Sequence, residues 1–146
     1  MSEVIEFWVG GIPQPSGSKK GFYNPKIGRV IITEDNKKSA PWRACVSEAA
    51  SRVVTQAMEG PLRVRFDFVF QRPQGHYGTG KNSSVLKASA PPFPAGRPDT
   101  TKLIRGAEDS LKGIVWRDDS QIVTQAATKR YGPQAGCLIR VAPEKA

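Results

Sequence analysis

The clearest pattern in the chain is a strict alternation from Leu62 to Phe70. Leu62, Val64, Phe66, Phe68 and Phe70 fall on one face, and Arg63, Arg65, Asp67 and Val69 on the other. A period of two predicts a strand buried on one side. A shorter strand is predicted from Val4 to Gly10, ended by Gly10-Gly11-Ile12-Pro13-Gln14-Pro15. Ser16 to Gly21 reads as a polar basic loop. Phe22-Tyr23 and Val30-Ile31-Ile32 read as a hairpin closed across Asn24 to Gly28. Trp42, Val46, Ala49, Ala50, Val53 and Ala57 then recur at helical spacing. They predict a core-packing helix from about Ala40 to Met58, with Pro41 in its first turn, Asp35 or Ser39 as cap, and Gly60-Pro61 as stop.

A second helix is predicted to start at Asp99. Leu103, Ile104, Ala107 and Leu111 make its apolar stripe, while Lys102, Arg105, Asp109 and Lys112 gather on the polar side. Asp99 suits the N-cap and Gly113 a left-handed C-terminal cap. Strands are predicted from Gln121 to Lys129 and from Cys137 to Val141, around a turn at Gly132 to Gly136. Between the alternating strand and the second helix lies Gln71 to Ala95, long, polar and rich in Gly, Ser and Pro. A loop of that length inside a compact domain is usually functional or disordered. The order of elements predicts one α+β (mixed α/β) domain over residues 1–146: a mixed sheet with two main helices packed on it and a flexible basic loop at about 71–95.

Charge adds a partner. The 22 Lys and Arg residues against 13 acids give a formal net charge of +9. That excess favours a polyanion such as nucleic acid, bound with steep salt dependence. Lys19, Lys20, Arg72, Lys81 and Lys87 are the candidate backbone-phosphate contacts; solvated loops explain them as simply. His76 and Tyr77 sit among them, but nothing in the sequence fixes His76 near the acids as a base. No apolar run reaches the roughly 18 residues of a membrane span, and the Met1–Glu6 start is no secretory signal, so a cytoplasmic protein is expected. Cys45 and Cys137 are expected to be buried and unpaired, and one histidine with no CxxC pair argues against a structural zinc site.

The acids are unevenly placed. Asp99, Glu108, Asp109, Asp118 and Asp119 fall within about twenty residues of an otherwise basic chain. Asp99, Asp118 and Asp119 offer hard oxygen ligands for Mg²⁺, with Mn²⁺ as a substitute. Such an ion suits phosphodiester hydrolysis, with Lys102 or Arg105 steadying the charge that builds on phosphorus. Taken singly, Asp99 is as readily a helix cap, Asp118-Asp119 a hydrophilic turn, and Asp109 the partner of Arg105 in an i,i+4 ion pair.

These residues resemble the RusA-like family of Holliday-junction resolvases, small endodeoxyribonucleases often carried by phages and prophages. The resemblance rests on Pro98-Asp99 leading into Leu103, on Arg105 and Asp109-Ser110-Leu111, and on Trp116-Arg117-Asp118-Asp119-Ser120-Gln121-Ile122-Val123. It implies a bacterial or phage-encoded homodimer that binds four-way DNA junctions and cuts two opposed strands symmetrically with Mg²⁺. Asp99 matches the family's first metal-site aspartate. Asp119 matches the essential member of the later pair, with Asp118 beside it. Thr101 stands where the family has its second aspartate, Lys102 where it has asparagine, and Arg105 where it has lysine. The site then lacks one formal negative charge, which Asp109 could restore from the same helix. Two alternatives follow: a catalytically weakened junction-binding protein, and a nuclease for other branched DNA such as flaps or forks.

Overall fold

The computed structural model describes residues 4–16, 19–34 and 36–146; for Lys19, Lys20 and residues 32–34 it describes only the backbone. A four-stranded sheet carries the fold. It is built from β1 (Ile5–Gly10), β4 (Leu62–Phe70), β5 (Ile122–Tyr131) and β6 (Gly136–Pro143). A separate antiparallel hairpin pairs β2 (Lys19–Asn24) with β3 (Arg29–Glu34). Two helices complete the domain, α1 (Ser39–Val53) and α2 (Thr100–Leu111). The sheet order is β1-β6-β4-β5. β6 lies antiparallel to both β1 and β4, whereas β4 and β5 run parallel.

The alternating strand takes the centre because its apolar face is continuous. Leu62, Val64, Phe66 and Phe68 are fully buried against Trp42, Val46 and Ala50 of α1 and Leu103, Ala107 and Leu111 of α2. Val69 is buried too, although the alternation assigns it to the outer face. Asp67 on that outer face accepts from Thr128 and pairs with Arg65, tying β4 to β5. The parallel pairing explains the long connection between β4 and β5, since a parallel neighbour requires a crossover. That crossover carries α2 and both acidic segments.

Several boundaries differ from the sequence expectation. α1 ends at Val53 rather than near Met58. Val54 is already extended, and Met58 leaves the helix to bridge Trp116, its N–H donating to Val115 O at 2.7 Å. Backbone pairing with 115–116 has displaced the last helical turn. The N-cap of α1 is Lys38; Ser39 is the buried first residue of the helix, and Asp35 lies outside the described residues. Lys19 and Lys20 begin a strand rather than sit in a loop, with side chains outside the described residues. Cys137 is buried as expected and its thiol is pushed far up by burial, but Cys45 is exposed on α1.

The long 71–95 segment has an architecture of its own. A short 3-10 turn at Gln74–His76 precedes a Tyr77–Leu86 bridge, and a second at Gly80–Asn82 lies within the span it closes. Gly78 N–H donates to Val85 O and Lys87 N–H to His76 O, at 3.0 and 2.9 Å. Lys81 and Lys87 are exposed on it. Arg72 is not a free surface cation: it donates to Pro91 O at 2.7 Å and lies 4.4 Å over the Tyr131 ring. It fastens the segment to the end of β5.

Candidate functional site

α2 carries an acidic segment at each end. Asp99 occupies its N-cap position: the Asp99 carbonyl accepts from Leu103 N–H at 3.1 Å, but the side chain makes no capping hydrogen bond. The exposed carboxylate is therefore not spent on the helix end. It lines a cleft of about 610 Å³ together with Gln14, Asn36, Arg97 and Lys102.

The walls of that cleft are fastened to α2. Ser16 N–H donates to Lys102 O at 3.0 Å, and Asn36 Nδ2 donates to Gln14 Oε1 at 3.1 Å. Arg43 donates to Ser16 Oγ at 3.1 Å. Gly106 makes this close approach possible, because a Cβ there would stand 3.1 Å from Ser16 Cβ. On the other side Lys129 Nζ donates to Gly96 O and Pro98 O, at 2.7 and 2.9 Å. That double contact holds the approach to Asp99, which includes a cis Arg97–Pro98 bond, against β5.

At the opposite end, Gly113 takes the left-handed conformation (φ +85°) that lets the chain leave α2. Trp116 is fully buried, and its Nε1 donates to Asp119 Oδ1 at 2.8 Å. Asp118 caps the short 3-10 turn at Asp119–Gln121, accepting from Ser120 N–H at 2.9 Å. Those Ser120 hydrogen bonds, helped by the charge of Lys112, lower its pKa. Gln121 locks the turn in place. Its Oε1 accepts from Arg117 and Asp118 N–H, and its Nε2 donates to Met58 O and Gly60 O at 3.0 Å each. The two aspartates thus differ: Asp118 serves its own turn, and a buried indole aims Asp119.

Sequence reasoning named Glu108 among the acids but gave it no role. It is half-buried on α2 and accepts from Gln125 Nε2 of β5 at 2.8 Å. Burial raises its pKa, and the charges of Asp119 and Asp109 raise it further against the Gln125 hydrogen bond. Asp119 thus shares its electrostatic surroundings with Glu108. The available signal was spacing: Glu108 follows Thr101 by seven residues, two helical turns along one face. Thr101, Arg105 and Asp109 are exposed, and no ion pair joins Arg105 to Asp109 among the described residues.

The structure does not gather Asp99, Asp118 and Asp119 into one cage. Among the described residues no three His, Cys, Asp or Glu side chains meet where they could hold a metal ion. Along α2 the nine residues from Asp99 to Glu108, the acid that feels the charge of Asp119, span roughly 13 Å. The donors at both ends are nonetheless hard carboxylate oxygens, the chemistry that suits Mg²⁺ or Mn²⁺.

Comparison with known proteins follows the same residues. A family model described as endodeoxyribonuclease RusA matches residues 13–142, from the cleft loop through both acidic segments to β6. The chain is also 28% identical over 142 residues to the Bacillus subtilis (strain 168) protein YqaN, described as uncharacterized, covering 94% of this chain and 96% of that one. No helix among the described residues is long and apolar enough to cross a membrane. With nearly the whole domain matched, the chain belongs to the RusA family of Holliday-junction-resolving endodeoxyribonucleases.

Proposed function

We propose that this protein is a divalent-metal-dependent endonuclease that resolves four-way DNA junctions as a homodimer, and that each of its two metal sites is completed by both copies. The observation that carries the reading is the placement of Asp99 at the N-cap of α2, with Asp119 held by Trp116 after the helix has ended and close enough to Glu108 to act on its charge. A two-fold axis across the middle of α2 would set the Asp99 end of one copy against the Asp119 end of the other. The same operation makes two equal sites, which suits paired cuts in a symmetric substrate.

Asp99 and Asp119 would hold the ion, Mg²⁺ or Mn²⁺, with Asp118 beside them. When bound, it supplies Lewis acidity toward the scissile phosphate. The chain's own residues do the rest. Asp99 faces the substrate without a competing cap, and Trp116 fixes the orientation of Asp119. Arg105, exposed on α2, steadies the charge that builds on the phosphate, and Lys102 lines the cleft where the backbone enters. Lys81 and Lys87, exposed on the 71–95 segment, with Lys19 and Lys20 as the further candidates from the sequence, add distributed phosphate attraction; Arg72 acts instead by holding the 71–95 segment in place.

The test is cleavage of a synthetic four-way junction with Mg²⁺. Asp99→Asn and Asp119→Asn should each abolish cutting while junction binding persists or tightens, since an acid near phosphate is gone. Retained cutting by either variant contradicts the assignment. Flap and fork substrates run alongside separate junction resolution from cleavage of other branched DNA.

A further inference from the structure

A second cleft, away from the acids, has the lining of a nucleobase site. It encloses about 520 Å³ at the end of β5, between Tyr131 and the 71–95 segment. Arg72, Tyr77, Phe93, Arg130 and Tyr131 line it. One face of Tyr131 is taken by the Arg72 guanidinium, and the His76 ring packs against it at 90°. Phe93 is different: it is 65% exposed while lining the cleft. Its backbone is held on both sides, by prolines at 91, 92 and 94, by the Arg72 bond to Pro91 O, and by Ala95 N–H donating to Phe93 O at 2.9 Å. An aromatic ring on a fixed backbone can stack on a ligand with little further loss of freedom. Arg130 is exposed and lines the same cleft.

This cleft and the one at Asp99 have a third recess as a common neighbour. The recess, of about 140 Å³, shares Tyr131 with the former and Phe70, Arg97 and Pro98 with the Asp99 cleft. Arg97 and Lys129 line that recess, with the Lys129 ammonium anchored on the Gly96 and Pro98 carbonyls. An exposed aromatic platform beside basic side chains is the arrangement that binds single strands, because every base has a face to stack.

We propose that the Phe93–Arg130 cleft receives one unpaired nucleobase of the strand that is cut at Asp99. Phe93 stacks on the base and Arg130 holds an adjoining phosphate. Opening the duplex beside the crossover supplies the unpaired base, and its capture draws the strand toward Asp99. The inference rests on the reading of this chain as a DNA-cutting enzyme.

The experiment measures binding of a short fluorescent oligothymidylate to the full chain, with chelator present so that no cutting occurs. Phe93→Ala should weaken binding about five- to a hundredfold, with Phe93→Trp restoring it, while affinity for a blunt duplex changes less than about twofold. A strand of the same length made of abasic units should bind wild type as weakly as it binds Phe93→Ala. Equal binding of the oligothymidylate by wild type and Phe93→Ala, or an equal loss on duplex, overturns the proposal. Competition by free thymidine monophosphate as potent as the oligonucleotide overturns the assignment to a strand. Because Phe93 is exposed, the variant should keep its circular dichroism and melting temperature. Cleavage is read separately with Mg²⁺, so loss of the base site and loss of the metal-site reading give different results.

Discussion

Trp116→Phe breaks the hydrogen bond by which a buried indole aims Asp119. The indole Nε1 is fully buried and donates to Oδ1 at 2.8 Å, so the bond is charge-assisted and partly shielded from water. Hydrogen bonds to a charged partner contribute about 1.5–3 kcal/mol. Shrinking the ring also leaves a small cavity, worth about 1–2 kcal/mol more. The variant should therefore lose roughly 2.5–5 kcal/mol, or on the order of 10 °C in Tm for a domain of this size. A double-mutant cycle with Asp119→Ala removes the cavity contribution, because the smaller ring is common to one side of the cycle. The coupling energy left over should be about 1.5–3 kcal/mol by urea denaturation. The functional arm titrates Mg²⁺ against junction cleavage below the melting transition. Loss of a group that orients a metal ligand typically costs about 10- to 100-fold in metal affinity or activity, and a shift of that size is expected. A coupling energy within about 0.5 kcal/mol of zero would show that the bond does not hold Asp119. An unchanged Mg²⁺ requirement would show that its orientation does not matter to the reaction.

Two further outcomes follow from the same helix. Glu108→Gln should raise stability at neutral pH in metal-free buffer. Burial and the neighbouring acids raise the folded-state pKa of Glu108, so its charged form destabilises the fold above that pKa. The gain should disappear as pH falls below the ordinary carboxylate value near 4.5, where both states are protonated; a gain that persists there contradicts the cause. Thr101→Asp restores a carboxylate in the exposed first turn of α2, one helical residue beyond Asp99's neighbour. It should increase junction cleavage at limiting Mg²⁺, and an unchanged rate would remove the missing acid as a reason for weakened activity.

Much of this architecture was legible because it follows from period and punctuation. The alternation of Leu62 to Phe70 became the central strand, and the Leu103–Ala107–Leu111 stripe became the buried face of α2. Gly113 was recognisable as the helix exit because a left-handed residue is needed there. Local pattern failed where long-range contacts decided. The end of α1 was set by Met58 pairing with Val115 and Trp116, more than fifty residues later. The 71–95 segment looked featureless because its order comes from 3-10 turns and from Arg72 docking on Tyr131, neither of which has a periodic signature. The acids were visible as a group, but adjacency in sequence concealed that, among the described residues, no three of them meet where they could hold a metal ion. Glu108 was overlooked because its half-buried position depends on β5, which supplies Gln125.

Complementation between two inactive chains tests the composite site most directly. Asp99→Asn and Asp119→Asn proteins, each unable to cut, are mixed, allowed to exchange subunits, and given a four-way junction with Mg²⁺. In a mixed dimer one site would join the intact Asp99 of one copy to the intact Asp119 of the other, while the second site would carry both substitutions. The mixture should regain cleavage as a single nick per junction, in proportion to the mixed dimer formed. No recovered cutting despite demonstrated subunit exchange would contradict a site shared between two copies.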